Sequence, residues 1–173
     1  MRFRIKSSVV GAILLVLTAT VPFGSAMAHQ ESTPVASPET APSVVREVLS
    51  SAETDDAPGE IFELARYTIA PHAVLPVHTH PGTQMAVVIS GTLTYHVVEN
   101  GSITVTRADG TVEIFGPGET STMEIGDSWD EPEGMIHYAE NLTDEPVVLM
   151  SSSLLTEGVP TSEIVEDVAT PAN

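Results

Sequence analysis

Hydrophobic residues in this chain follow two rhythms. Over residues 9–21 they run almost unbroken, whereas from about residue 60 they alternate with polar residues in short β-branched stretches. Alternation with a period of two sends successive side chains to opposite faces of a strand. It predicts strands over residues 61–69, 74–80, 85–90, 92–99, 103–107, 112–115, 121–124, 135–140 and 147–154. Pro81-Gly82, Ser90-Gly91, Asn100-Gly101, Asp109-Gly110 and Gly116-Pro117-Gly118 separate them as turns. Past residue 28 no stretch keeps a helical period long enough to predict a helix. The expectation is one all-β domain over residues 60–156, a sandwich or barrel whose closure limits exposed edges.

The flanks differ in kind. Arg2, Arg4 and Lys6 precede the apolar run, and Ala26-Met27-Ala28 follows it. A charged start, a short apolar stretch and a small-x-small site predict a signal peptide over residues 1–28; an uncleaved anchor is the alternative. Phe3 separates Arg2 from Arg4, so the general secretory route is expected rather than a twin-arginine one. Residues 29–59 are rich in Pro, Ser, Thr, Ala and acid, which predicts a flexible leader with a short strand at 44–49. Residues 157–173 are similar and are expected to form a loose tail.

Composition narrows the chemistry. The chain carries 24 acidic and 6 basic residues, a net charge of −18. Cleavage after Ala28 would leave only Arg46, Arg66 and Arg107 as basic residues, and no lysine. That excludes lysine Schiff bases and Walker-type phosphate binding. It also excludes a basic surface for nucleic acid. No cysteine is present, so neither a disulfide nor a lipobox anchor can form. The expected product is secreted or periplasmic, free of the membrane once the signal is removed.

Against this background the histidines stand out. His78 and His80 project from one face of a strand, Pro81-Gly82 turns the chain, and Gln84 starts a strand that can point back to the same side. Pro132-Glu133-Gly134 then delivers His137 on a distant strand. Three imidazoles and an amide oxygen converging in a barrel suit a first-row divalent metal.

His78-Thr79-His80, three residues, Gln84, six residues and Gly91 resembles the first motif of the cupin superfamily, G-x5-H-x-H-x3,4-E-x6-G. Gly126, five residues, Pro132-Glu133-Gly134, two residues, His137, three residues and Asn141 is similar to the second, G-x5-P-x-G-x2-H-x3-N, at every fixed position. The resemblance covers residues 72–141, with 34 residues between Gly91 and Gly126. It implies a single-domain cupin, a double-stranded β-helix or jelly-roll barrel. It also implies a metal (Mn, Fe, Ni, Cu or Zn) held by His78, His80, Gln84 and His137, and a fold in which homodimers are common. Two positions depart from the pattern. His72 stands where the first motif opens with glycine, and Gln84 replaces its glutamate. A neutral amide in place of a carboxylate would leave the ion's charge uncompensated, with weaker retention and stronger Lewis acidity.

Other residues carry bland readings beside functional ones. His72 shares the face of His78 if no bulge intervenes, and with Tyr95 it is a candidate proton-transfer group. Val88, Ser90 and Ala139 have the parity to line the pocket. His96 reads as a sheet residue, Tyr95, Trp129 and Tyr138 as core anchors, and Arg66 as one half of a salt bridge. His29 would become a mature N-terminus able to chelate copper. Asp130, Glu131 and Glu133 sit by a turn and read as solvated. Asn100-Gly101-Ser102 and Asn141-Leu142-Thr143 match the glycosylation sequon.

Two functions fit. In one, an enzyme of the dioxygenase, isomerase or lyase type uses the ion to polarise a small molecule. In the other, the same pocket captures a small molecule without turnover. The acidity of the chain favours a neutral or weakly acidic ligand in either case.

Overall fold

In the computed structural model, which describes residues 43–166, the alternation is realised as twelve strands. They are β1 (Val44–Glu53), β2 (Glu60–Ile69), β3 (Val74–Thr79), β4 (Gly82–Ser90), β5 (Leu93–Glu99), β6 (Ile103–Thr106), β7 (Val112–Phe115), β8 (Thr120–Met123), β9 (Ser128–Glu131), β10 (Ile136–Glu140), β11 (Val147–Thr156) and β12 (Glu163–Ile164). A seven-stranded sheet runs β1-β2-β11-β4-β9-β6-β7, and a five-stranded sheet runs β12-β3-β10-β5-β8. Every pairing is antiparallel. Their inner faces share one core that includes Ile69, Val88, Leu93, Ile103, Val105, Met123, Met135 and Val147. β11 shows the pattern most fully, with buried and half-buried residues alternating along its whole length. No helix among the described residues is long and apolar enough to cross a membrane.

Three parts of the sequence reading change. Residues 44–53, within the segment expected as a flexible leader, form β1, which pairs with β2 from Val44↔Ile69 to Glu53↔Ile61, so the sheet begins before residue 60. The short strand expected at 44–49 extends to Glu53; its register shifts between Val48 and Ser50, and such bulges suit an edge strand. Asp130 and Glu131, expected by a turn, lie instead on β9, a central strand between β4 and β6. Part of the expected loose tail forms β12, hydrogen-bonded to β3 at Glu163↔Thr79 and Ile164↔His78. The signal segment, its cleavage site and His29 lie outside the described residues.

The motif positions that carry no chemistry build the frame. Asn141 is fully buried. Its Nδ2 donates to the carbonyls of Ala70 and Glu145 at 2.9 and 2.8 Å, and its Oδ1 accepts from the Thr143 N–H and hydroxyl at 3.1 and 2.7 Å. It ties the end of β2 to the turn after β10, and its burial removes it as a glycosylation acceptor. Gly91 has φ +78, and a Cβ there would lie 2.8 Å from the Pro146 carbonyl oxygen. Only glycine accepts both the left-handed backbone and that approach. His72, where the motif has glycine, keeps the left-handed backbone with φ 57, a conformation costly for a residue with a Cβ.

Candidate metal centre

β3 and β10 are neighbours in the smaller sheet, and their register sets His78 opposite His137. β10 shifts register on both sides of His137, against β5 between Ile136 and His137 and against β3 between His137 and Ala139. These irregularities re-aim the side chain inward. His80 follows the end of β3. The imidazole centroids of His78 and His137 lie 4.3 Å apart, those of His78 and His80 4.8 Å, and those of His80 and His137 5.1 Å. One nitrogen from each ring falls within 4.8 Å of the other two. All three side chains are buried, His137 to 2% exposure.

Each ring is oriented by a backbone carbonyl. The Nδ1–H of His78 donates to Pro76 at 2.7 Å, that of His80 to Thr161 at 2.6 Å, and that of His137 to Met135 at 3.2 Å. With Nδ1 carrying the proton, the neutral ring presents its Nε2 lone pair to the centre, the arrangement of metal-binding imidazoles. Burial, followed by the neighbouring rings of His137 and His80, holds His78 down to about 4. Burial likewise lowers His137, against the pull of Glu131. His78 and His137 therefore offer unprotonated nitrogens at neutral pH.

An acid-lability prediction follows. The folded-state value of His78 lies below its unfolded value of about 6.5, so its contribution to stability is complete above pH 6.5 and is lost as pH falls towards 4. The metal-free protein is expected to lose stability of order 3 kcal/mol across that window, seen as a falling melting temperature between pH 7 and pH 4.

The Thr161 carbonyl comes from the segment expected to be loose. Ending the chain after Thr156 removes the partner of His80 Nδ1 together with β12. Divalent-ion affinity is expected to fall about 10- to 100-fold, measured by competition with a chelator, and an unchanged affinity would show that this contact does not orient the ring.

The larger sheet contributes the opposite wall. In register, Gln84 of β4 lies between Ser153 of β11 and Glu131 of β9. Gln84 Oε1 accepts hydrogen bonds from the hydroxyls of Ser153 and Ser151 at 2.9 and 3.3 Å, while its Nε2 is buried with no partner. Glu131, read from sequence as a solvated turn residue, is 7% exposed. Its Oε1 accepts from Trp129 Nε1 at 2.8 Å and from the Tyr95 hydroxyl at 3.0 Å. Its Oε2 lies 3.5 Å from His80 Nε2 and 3.7 Å from His137 Nε2. Burial opposes its ionisation, but the imidazoles of His137 and His80 and the Trp129 N–H outweigh burial and hold the carboxyl below its usual range.

Sequence reasoning missed Glu131 because the strand that carries it shows little apolar alternation. The signal available was parity with Trp129 two residues earlier. The cavity between these walls measures about 60 Å³ and is lined by the three histidines, Gln84, Tyr95 and Glu131, with Ala86 and Ala139 among its small residues. Ala139 takes the expected position. Val88 packs in the core instead, and Ser90 is a half-exposed strand end.

Apart from Tyr95, the other candidates fall outside the cavity. His72 does not share the face of His78; it is exposed at 63% and pairs with Asp144 at 2.9 Å on the turn between β2 and β3. Tyr95 stacks on His137 with centroids 5.2 Å apart, and burial, then Glu131, push its hydroxyl well above the usual phenol range. His96 stacks on Tyr138 and bonds Thr120 and Glu140. Arg66 pairs with Glu47, Arg46 with Glu63, and Arg107 with Glu113 and Asp127. Among the described residues no arginine is left to bring positive charge to the cavity.

Comparison with known proteins gives this arrangement a context. A family model described as "Cupin" matches residues 38–155. A germin-like protein of Mesembryanthemum crystallinum is 36% identical over 91 residues, covering 52% of this chain and 35% of its own length. Germin-like protein 12-2 of Oryza sativa subsp. japonica is 34% identical over 93 residues, covering 53% and 37%. The chain thus spans little more than a third of the length of these relatives. Among solved structures, a recombinant oxalate oxidase in complex with glycolate aligns with a TM-score of 0.49 at 17% identity, over 72% of this chain and 56% of the other.

Proposed function

The chain belongs to the cupin family, and from that premise we propose that it is an exported metal protein whose divalent ion is held by His78, His80 and His137 and binds a small oxygen-donor molecule. One observation carries this reading: three buried imidazoles converge, each with its Nδ1–H committed to a carbonyl and its Nε2 left to the centre. The orphaned Nε2 of Gln84 supports it, because a buried amide donor without a partner is costly unless something in the cavity accepts from it. A divalent transition ion would act there as a Lewis acid that polarises a bound oxygen.

The chain's own residues do the rest. The histidines fix the ion, Gln84 offers an N–H to what binds beside it, and apolar neighbours such as Leu75, Leu93 and Leu149 keep bulk water away. A volume of about 60 Å³ suits a ligand of a few heavy atoms and is too small for a flavonol. With every described arginine paired, the ion is the source of positive charge, and a neutral or weakly acidic ligand fits the acidic chain better than a strongly anionic one. The basic residues Arg2, Arg4 and Lys6, the apolar run over residues 9–21 and Ala26-Met27-Ala28 support export.

A non-catalytic binding role for the same pocket is favoured by a separate observation. His72 lies outside the cavity and the Tyr95 hydroxyl is committed to Glu131, so neither stands free to transfer a proton. Metal analysis of protein purified without chelator tests the common premise, with about one ion per chain expected; a metal-free, metal-refusing protein would overturn it. Oxygen uptake and product formation over a panel of small diketones, hydroxyketones and enediols then separate turnover from capture.

A further inference from the structure

Position 84 is where the family motif places a carboxylate, and here it is an amide. A carboxylate nevertheless occupies the centre, brought by the neighbouring strand: Glu131 is the register partner of Gln84 across β4 and β9. The two side chains are held in different ways. Gln84 has its oxygen turned to Ser153 and Ser151. Glu131 has Oε1 pinned by two donors, Trp129 Nε1 and the Tyr95 hydroxyl, which leaves Oε2 directed at the imidazoles.

The environment of Oε2 is what calls for a cation. It faces His80 Nε2 at 3.5 Å and His137 Nε2 at 3.7 Å. Both rings donate through Nδ1 to backbone carbonyls, so in the neutral rings both Nε2 atoms are lone pairs. A carboxylate oxygen facing two lone pairs inside a protein is repulsive unless positive charge is supplied, either by protons on the rings or by a cation between them. The separations are longer than a good charged hydrogen bond of about 2.7–2.9 Å. They are close to the ~3.4 Å expected between two ligands that each stand ~2.1 Å from one ion in tetrahedral geometry.

We propose that Glu131, through Oε2, supplies the anionic ligand of this metal centre in place of the motif glutamate, and that Gln84 is a hydrogen-bond donor beside the ion rather than a ligand. The inference rests on the reading of the histidine cluster as a metal site. It changes the charge expected at the centre. Three neutral imidazoles and one carboxylate leave a divalent ion with a net charge of +1, as a glutamate at position 84 would, instead of the uncompensated ion that Gln84 alone implied. The relocation also frees the Gln84 N–H for an oxygen of whatever molecule binds at the ion.

Titration of chelator-stripped full-length protein with Mn²⁺ and Co²⁺, in competition with a chelator, tests this directly. Glu131→Gln is expected to weaken both ions at least ~10-fold and to alter the visible absorption of Co²⁺ at saturation. Gln84→Ala is expected to change affinity less than ~3-fold and to leave the Co²⁺ spectrum near that of the wild type. The exchange variant, Gln84→Glu combined with Glu131→Gln, returns the carboxylate to the motif position and is expected to recover most of the lost affinity. It also answers the objection that Glu131→Gln merely disturbs folding.

Wild-type affinity and spectrum in Glu131→Gln would overturn the proposal, as would a loss confined to Gln84→Ala. Failure of the metal reading looks different, since the wild-type protein itself would then bind neither ion.

Discussion

Alanine in place of His137 is expected to empty the proposed metal centre. Protein carrying His137→Ala and purified without chelator is expected to fall from about one ion per chain to less than about a tenth of that, measured by plasma mass spectrometry. The size of the effect follows from position. His137 is the most buried of the three rings and sits opposite His78 in the register. Its imidazole is gripped between the Met135 carbonyl and the face of Tyr95. Loss of even an orienting partner of a metal-bound imidazole costs 10- to 100-fold in affinity, and loss of the imidazole itself costs more. Folding is expected to survive, because the removed group is a neutral ring facing a cavity. The matching control is His72→Ala, which alters an exposed residue paired with Asp144 and is expected to leave metal content unchanged. Full occupancy in His137→Ala would place the ion elsewhere.

The largest stability effect is expected at Asn141. Its carboxamide satisfies the Ala70 and Glu145 carbonyls and receives both hydrogen bonds from Thr143, with no solvent contact. Alanine would leave those buried groups without partners and open a void beside them. Each unsatisfied buried polar group costs ~1–3 kcal/mol, so a loss of about 3 kcal/mol is expected, or roughly 10 °C in melting temperature for a domain of this size. Thermal unfolding followed by circular dichroism measures it. Metal affinity at low temperature should stay near the wild-type value, since Asn141 lies at the far end of β10 from His137. A melting temperature within a degree or two of the wild type would show that water replaces the carboxamide at little cost.

These two residues also show why parts of the protein were legible in sequence. The histidines and Asn141 stand at fixed spacings within strands that alternate strongly, so pattern and motif point the same way. Nine strands followed from that alternation, and their inward faces form the core. β1 was cut short because its outer half lies exposed at the edge of the sheet, where burial imposes no apolar rhythm. β9 was hidden for another reason. Its inward positions are Trp129 and Glu131, and a charged residue breaks the apolar pattern even where the backbone keeps the pleat. Glu131 was read as solvated because an isolated carboxylate is seldom buried. Its burial depends on donors from Trp129 and Tyr95 and on three imidazoles contributed by distant strands, none of which is local in sequence. β12 and the Thr161 carbonyl escaped notice in the same way, since two paired residues and one backbone oxygen leave no compositional trace.

The indole that donates to Glu131 belongs to the sole tryptophan of the chain, and its ring stands edge-on to Tyr95 at a centroid distance of 5.6 Å. The protein therefore carries its own optical probe. Excited at the red edge of its absorption, where the tyrosines no longer absorb, the indole is a single fluorophore one hydrogen bond away from the carboxylate at the centre. A paramagnetic ion settling there would quench that emission, and a diamagnetic one would shift it by drawing charge from the indole's acceptor. Occupancy, exchange rates and ligand entry can thus be followed in unlabelled protein, with no background from a second tryptophan.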